Sequence, residues 1–300
     1  MHLLAYTHLD QPRIGVLDAV NDNIIDLTSA GLPSTLDELI QLGASGLQMV
    51  AAAVSTAKVR TPLNDVTLLP PVRNPSKAIA VGLNYVDHAA EADFVAPTYP
   101  IFFSRYSSSW VAHDQKLHKP KASSEFDYEG ELVIVIGKEG RHISHENALE
   151  HVYGYSVFNE GSVRDFQWKS QQWTMGKNFD KSGSFGPYLV TADSLPAGAK
   201  NLRIETKLNN SVVQQATTND MIFDVATLIS VVSVAFALSP GDIIISGTPS
   251  GVGFARTPPL FMQAGDICEV YIEGIGTLRN QVIDEPAPLL GGNIQVQNHD

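Results

Sequence analysis

This sequence is poor in cysteine, and it shows neither a long apolar run nor the pattern of a secretory leader. Its 300 residues include one cysteine, Cys268, so no disulfide can form within the chain and a reducing compartment is expected. No apolar run reaches the roughly 18 residues that a membrane-spanning helix needs. The N-terminus lacks the basic segment and apolar core of a signal peptide. We therefore expect a cytoplasmic protein without a membrane partner.

Basic residues are also in deficit. The chain has 20 Lys and Arg against 32 Asp and Glu, which gives a formal net charge of −12 at pH 7. Nucleic-acid-binding proteins usually present a basic face, so nucleic acid is not expected as a partner. An anionic small molecule remains compatible, because a metal ion and a few cations can reverse the field inside a cleft.

A phosphate-binding loop is missing as well. The segment SGTPSGVG at 246–253 follows an apolar strand, but it has neither a GK[ST] ending nor the GxGxxG spacing of nucleotide-binding loops. It can still present Thr248 and backbone N–H groups to an anion.

The apolar patterns predict a mixed, β-rich α+β fold with flanking helices. Within the first 70 residues, three short strand patterns precede two helical ones, and the proline-rich run LLPPVRNPS at 68–76 then breaks the pattern. We predict a small N-terminal α/β domain over 1–70 and a larger domain over 71–300. In the larger domain the predicted strands are KAIAVGLNY, ELVIVIG, YGYSVFNE, YLVTA, LRIETKLN, DIIISG and ICEVYIEG, and the predicted helices are YVDHAAEA, HENALEHV and MIFDVATLISVVSVAFAL.

Two glutamates at the start of a predicted buried strand are the first candidate site. Glu129 and Glu131 are separated by one glycine and precede the apolar run Leu132 to Ile136. Residues i and i+2 of a strand point to the same face, so the two carboxylates should lie side by side. Such a pair repels unless a cation or proton lies between them, and a hard divalent cation is the simplest solution. The alternative is a solvated strand start with two exposed glutamates.

A histidine and a glutamate at helical spacing are the second candidate. His88 and Glu91 follow the strand that ends at Gly82, at i and i+3 of a predicted helix. A glutamate that accepts from one imidazole nitrogen makes the other nitrogen a better base, as water activation requires. An incidental ion pair on a surface helix is the alternative. We also expect the surrounding segment, 85–100, to act as a lid over substrate.

Three further residue groups follow the central strands. Glu160 ends the strand YGYSVFN, and Arg164 and Gln167 come next at i, i+3 spacing, which suits an oxyanion or carboxylate. Lys177 lies in a glycine-rich loop, where a solvated surface charge is the alternative interpretation.

The order of these motifs resembles the fumarylacetoacetate hydrolase family. The resemblance covers about residues 77–284 and rests on GLNYVDHAAE, the E-x-E before VIVIGK, SVRD, the Lys177 loop, PGDIIISGTPSGVG and IEGIGTLRN. It implies a β-roll of mixed sheets with a short N-terminal domain, an Mg²⁺ or Mn²⁺ cofactor and a homodimer. The implied substrates are 2-oxo acids with a second carbonyl group.

The resemblance also implies a role for each candidate residue. Glu129, Glu131 and Glu160 match the metal ligands, although the third ligand is usually aspartate. The implied catalytic residues are His88, Glu91 and Lys177, and the implied substrate-binding residues are Arg164, Gln167 and Thr248.

The implied activity is hydrolysis of a carbon–carbon bond in an acylpyruvate-like 2,4-dioxo acid, as in aromatic-compound catabolism. His88 would activate the water, and Lys177 and Gln167 would face the developing oxyanion. Oxaloacetate decarboxylation and isomerisation or dehydration of 2-oxo acids fit the same residues. A non-catalytic metal-binding protein is the alternative from another class.

Overall fold

The computed structural model describes residues 1–91 and 97–287, except for the side chains of residues 88–90. Its strands are β1 (His2–His8), β2 (Gln11–Asp18), β3 (Asn23–Asp26), β4 (Arg60–Pro62), β5 (Thr67–Leu69), β6 (Ala78–Gly82), β7 (Ile101–Ser104), β8 (Trp110–Val111), β9 (Leu117–Lys119), β10 (Phe126–Asp127), β11 (Gly130–Ile136), β12 (Val152–Asn159), β13 (Ser162–Val163), β14 (Gly183–Thr191), β15 (Arg203–Leu208), β16 (Ser211–Thr217), β17 (Ile243–Ile245), β18 (Ile267–Ile272) and β19 (Gly276–Asp284). Its α-helices are α1 (Leu36–Gln41), α2 (Gly43–Thr56), α3 (Val86–Glu91), α4 (Arg164–Gln167), α5 (Thr174–Lys177) and α6 (Val225–Ala235). Strands therefore dominate, as the sequence predicted.

Most strands belong to one large mixed sheet. Its order is β4-β3-β2-β1-β14-β12-β11-β17-β6-β7, with β5 on β1 and β8 on β14. A second sheet has the order β16-β15-β18-β19-β9, and β10 pairs with β13. The pairs β17·β6, β14·β8 and β19·β9 are parallel, and the other pairs are antiparallel.

Strand β11 lies at the centre of the core. All seven of its residues are buried. Leu132, Ile134 and Ile136 pack into one apolar cluster, whereas Val133 and Val135 pack into another. A strand that is buried on both faces reads as a continuous apolar run, which is why ELVIVIG predicted it correctly. Cys268 is likewise a buried strand residue, in β18, as predicted.

The N-terminal segment continues the large sheet. β1 pairs with β14 through His2↔Val190 and Leu3↔Leu189. Leu3 and Ile14 share an apolar cluster with Val133 and Ile243. An independent N-terminal domain over 1–70 remains a prediction, but its strands and core are continuous with those of the rest of the chain.

Two predicted helices differ from the structure. HENALEHV forms a 3-10 helix over His145–His151, because the chain must enter β12 at Val152 directly afterwards. The helix predicted from Met221 begins only at Val225, capped by Asp224. The first three residues of the predicted helix lie outside α6, since the backbone N–H groups of Ile222 and Phe223 donate to Asn84. None of the helices in the described residues combines the length and hydropathy that crossing a bilayer requires.

Candidate active site

Three buried carboxylates meet at one end of the central strands. One ligand oxygen from each of Glu129, Glu131 and Glu160 lies within 4.8 Å of the other two, and none of the three residues is more than 4% exposed. The β11–β12 register pairs Gly130 with Asn159, and Glu160 N–H donates to the Glu129 carbonyl at 2.8 Å. Antiparallel pairing therefore brings the third acid beside the predicted pair. These three residues are called the acid cluster below.

Three buried cations surround the acid cluster. Lys177 Nζ lies 2.7 Å from Glu129 Oε2 and 3.3 Å from Glu160 Oε2. Arg164 Nη2 lies 2.7 Å from Glu129 Oε1. Arg105 Nε lies 3.8 Å from Glu160 Oε1. Lys177 is 2% exposed, so the alternative of a solvated loop lysine is wrong.

A fourth buried acid, Asp127, joins the group through Arg164. Its Oδ2 accepts from Arg164 Nε at 2.9 Å, and the carboxylate also accepts from the backbone N–H groups of Gly253 and Phe254. Burial raises the pKa of Asp127, whereas Arg164 and the N–H donors oppose that rise. Sequence reasoning overlooked Asp127, although its position two residues before Glu129 is a same-face signal.

The acid cluster fits a hard divalent cation. Burial raises the pKa of Glu131 well above its ordinary value, and the neighbouring charges of Glu160 and Glu129 add to the rise. Clustered carboxylate oxygens that are costly to ionise together are the donor set that Mg²⁺ and Mn²⁺ favour. Glu129, Glu131 and Glu160 would hold such an ion.

The glycine-rich segment 246–254 supplies backbone donors to the site carboxylates. Gly247 N–H donates to Glu131 Oε2 at 2.5 Å, and Gly251 N–H donates to Glu91 Oε2 at 2.6 Å. Gly247 has φ +95° and Gly251 has φ +101°, a left-handed conformation that favours glycine. The conformation of this loop thus orients two carboxylates from distant parts of the chain.

The predicted His88–Glu91 pair is only partly described. Glu91 ends α3 and is half-buried, and burial is the main cause of a raised pKa at its carboxyl group. Its Oε1 is buried and accepts no hydrogen bond from the described residues. The side chain of His88 and residues 92–96 of the predicted lid lie outside the described residues. The contact between His88 and Glu91 stays a prediction.

The predicted substrate-binding residues all line the cleft above the acid cluster. Gln167 Oε1 accepts from Arg164 Nη1 at 2.9 Å, which leaves the amide nitrogen of Gln167 as the donor on its other side. The Thr248 hydroxyl donates to the Gly130 carbonyl at 3.0 Å and accepts from Gln214 Nε2 at 2.8 Å.

Aromatic rings form one wall of the cleft. Trp173 lies edge-on to Phe103 and to Trp168, with ring centroids 5.5 and 6.3 Å apart, and Trp168 lies 6.1 Å from Phe254. A side chain at Gly82 would meet Trp173, since an added Cβ would lie 2.2 Å from Cζ3. Neither this wall nor Arg105 carried a sequence signal, because their residues come from separate segments without regular spacing.

Comparisons with known proteins agree with this architecture. Residues 77–283 match the sequence model of the fumarylacetoacetate (FAA) hydrolase C-terminal domain. A curated relative, the mitochondrial oxaloacetate tautomerase fahd2 of Xenopus laevis, is 39% identical over an alignment of 289 residues that covers 94% of this chain and 90% of the relative.

Two solved structures share the fold over nearly the whole chain. A fumarylacetoacetate hydrolase from Exiguobacterium antarcticum is 36% identical with a TM-score of 0.85, covering 95% of this chain and 100% of that one. The maleylpyruvate hydrolase from Sphingobium sp. SYK-6, solved with manganese(II) and pyruvate, is 28% identical with a TM-score of 0.80 and the same coverage. From the matched sequence, the shared β-rich fold and the buried acid cluster, the chain belongs to the fumarylacetoacetate hydrolase family.

Proposed function

We propose that the chain is a divalent-metal-dependent enzyme acting on 2-oxo acids, and that its activity is the keto–enol tautomerisation of oxaloacetate. The observation that carries this proposal is the charge of the site. Four buried carboxylates lie beside three buried cations, which leaves one formal negative charge among these seven buried groups; they are Asp127, Glu129, Glu131, Glu160, Arg105, Arg164 and Lys177. A divalent ion makes the total positive, which favours a dianionic substrate such as oxaloacetate.

The relatives support this substrate. The Xenopus laevis protein is named an oxaloacetate tautomerase, and its similarity extends over the N-terminal segment as well as the family domain. The bound ion would act as a Lewis acid that stabilises negative charge on the 2-oxo oxygen.

The residues of the chain would carry the proton transfers. His88, oriented by the available Oε1 of Glu91, would take a proton from C3 of the keto form. The electron pair of the broken C3–H bond would form the C2=C3 double bond, and the 2-oxo oxygen would take a proton from Lys177. Exchange with solvent would then remove the extra proton from His88 and return one to Lys177. The amide nitrogen of Gln167 would donate to the same oxygen region, as oxyanion donors do. Arg164 is proposed to hold a substrate carboxylate from the cleft wall. Thr248 could donate to it only if substrate binding turned its hydroxyl away from the Gly130 carbonyl.

Hydrolysis of an acylpyruvate-like 2,4-dioxo acid is the second candidate. Support for it comes from the Sphingobium enzyme, a maleylpyruvate hydrolase whose structure contains manganese(II) and pyruvate. In that reaction His88 would deprotonate water instead of C3, and pyruvate would leave with a second carboxylic acid. This activity would fit aromatic-compound catabolism.

One assay separates the candidates. Purified protein with Mg²⁺ or Mn²⁺ is mixed with enol-oxaloacetate, and the loss of the ultraviolet absorbance of the enol is followed. We expect a metal-dependent acceleration that EDTA abolishes, no CO₂ release, and intact acetylpyruvate and fumarylpyruvate. CO₂ release from oxaloacetate would indicate a decarboxylase, and pyruvate release from an acylpyruvate would indicate the hydrolase. No turnover of any substrate would favour a non-catalytic metal-binding protein.

A matched pair of variants tests the site. Glu131→Gln should abolish the metal-dependent rate, because it removes a buried ligand charge. Glu150→Gln changes an exposed glutamate whose partner is Lys138, and it should leave the rate unchanged.

Assembly and location remain proposals. A homodimer is proposed from the family resemblance, and gel filtration with light scattering tests it. A cytoplasmic location is proposed from the sequence, whereas the Xenopus laevis relative is named as mitochondrial. Fractionation of the source cells decides between these compartments.

A further inference from the structure

Arg105 is a buried arginine that the proposed reaction does not use. It follows β7 directly, its residue is 3% exposed, and its side chain is completely inaccessible to solvent. An arginine side chain stays charged in proteins, so a buried one needs a carboxylate partner. Within 4.0 Å, the partner that the described residues provide is Glu160.

The guanidinium group is held in one orientation. Nη1 donates to the Gly161 carbonyl at 3.2 Å and Nη2 donates to the Ser109 carbonyl at 3.4 Å. Its central carbon lies 5.5 Å from the ring centroid of Phe158. Gly183 leaves the necessary space, since a Cβ there would lie 2.4 Å from Nη2. Each terminal nitrogen thus donates one N–H to the backbone, and Nε, 3.8 Å from Glu160 Oε1, has no hydrogen-bond partner among the described residues.

The two oxygens of Glu160 therefore have different surroundings. Oε2 lies 3.3 Å from Lys177 Nζ, on the side of the acid cluster. Oε1 lies 3.8 Å from Arg105 Nε, and neither of these two atoms has a hydrogen-bond partner among the described residues. The Glu160 backbone is fixed, because its N–H donates to the Glu129 carbonyl and its carbonyl accepts from the Ser162 hydroxyl.

We propose that Arg105 is a positioning residue that binds Glu160 Oε1, so that Glu160 presents Oε2 alone to the metal ion. This inference rests on the metal site of the proposed function. Glu160 would then bind the ion through one oxygen, and Arg105 would hold the other oxygen. Loss of a residue that holds a metal ligand in this way typically lowers metal affinity by about 10- to 100-fold.

Metal binding to the full chain tests the proposal. Mn²⁺ affinity is measured by calorimetry, and the bound ion is observed by electron paramagnetic resonance. Arg105→Lys keeps the charge but replaces the three nitrogens that face Gly161, Ser109 and Glu160 with one, so it does not reproduce the geometry of the guanidinium group. We expect about 10- to 100-fold weaker Mn²⁺ binding and an altered spectrum of the bound ion. A purely structural role would lower the melting temperature and leave the spectrum unchanged.

Arg203→Lys is the matched control. Arg203 also has a carboxylate partner, Glu205, and an aromatic partner, Tyr271, but its side chain is 52% exposed and belongs to the second sheet. This variant should bind Mn²⁺ as the wild type does.

A crystal structure of the Mn²⁺-bound wild type decides the question even where Arg105→Lys gives no folded protein. We expect Glu160 Oε2 on the ion and Oε1 within hydrogen-bonding distance of Arg105 Nε. Both oxygens on the ion, or wild-type affinity in Arg105→Lys, would overturn the inference while leaving the metal site intact. Failure of the wild type to bind Mn²⁺ would instead overturn the metal site and the inference with it.

Discussion

Replacing Lys177 with methionine should separate the structural role of the lysine from its chemical role. Its Nζ lies 2.7 and 3.3 Å from oxygens of Glu129 and Glu160, and the three side chains are at most 5% exposed. Removing one partner of a buried ion pair typically costs about 3–5 kcal/mol, because the remaining charge loses its compensation. We expect the metal-free variant to melt roughly 5–15 °C below the wild type.

Divalent metal should restore much of this stability. The ion supplies positive charge to the same carboxylates, so the free energy of Mn²⁺ binding stabilises the variant more than the wild type. Thermal unfolding with and without saturating Mn²⁺ measures this effect. The difference in melting temperature between the wild type and Lys177→Met should be smaller with Mn²⁺ than without it. Activity should not return, since the ammonium group that is proposed to face the substrate oxygen is absent; we expect kcat to stay about 10²- to 10³-fold lower.

Lys138→Met is the control for Lys177→Met. Lys138 also pairs with a glutamate at 3.3 Å, but its side chain is 59% exposed, and an exposed pair contributes little. Its melting temperature and kcat should match those of the wild type. An unchanged melting temperature for metal-free Lys177→Met would refute the structural role of Lys177. Full activity of this variant at saturating Mn²⁺ would refute its chemical role.

Three further predictions concern the cleft. His88→Ala and Glu91→Gln should each lower kcat by about 10²- to 10⁴-fold at unchanged Mn²⁺ affinity, as expected for a proton-transfer pair. A weaker Mn²⁺ affinity in either variant would instead show that His88 or Glu91 is part of the metal site. The ionised form of Glu91 is proposed to orient the imidazole, and burial raises the pKa of Glu91. We therefore expect kcat to increase as pH rises through that pKa, and this limb should be absent from the Glu91→Gln pH profile. Gly82→Ala should raise KM without weakening Mn²⁺ binding, since the new methyl group forces the Trp173 ring out of place; an unchanged KM would exclude that ring from substrate contact.

Local sequence patterns predicted the central features of this fold. The β-branched run after Glu131 predicted β11, and the i, i+2 spacing predicted that Glu129 and Glu131 share a face. Both signals depend only on residues that are close together in the chain, so both can be recognised without the tertiary structure. Where tertiary contacts compete, the same reasoning was wrong: Asn84 binds the residues before Val225 and delays the start of α6.

The composition of the charge cluster was decided only by the tertiary structure. Spacing in the sequence says nothing about Arg105 and Glu160, which are far apart along the chain. They meet in the folded protein although three strands separate β7 from β12 in the sheet. The same holds for the hydrogen bond from Gly251 N–H to Glu91, because the glycine-rich segment 246–254 is far from α3 in the sequence and contacts it only in the folded protein. Such contacts follow from the order and register in which apolar strands pack, and that order is set by the whole core. The sequence by itself therefore determined that Glu129 and Glu131 lie side by side. The tertiary structure determined that Glu160 and Asp127 join them and which cations and backbone donors hold the group.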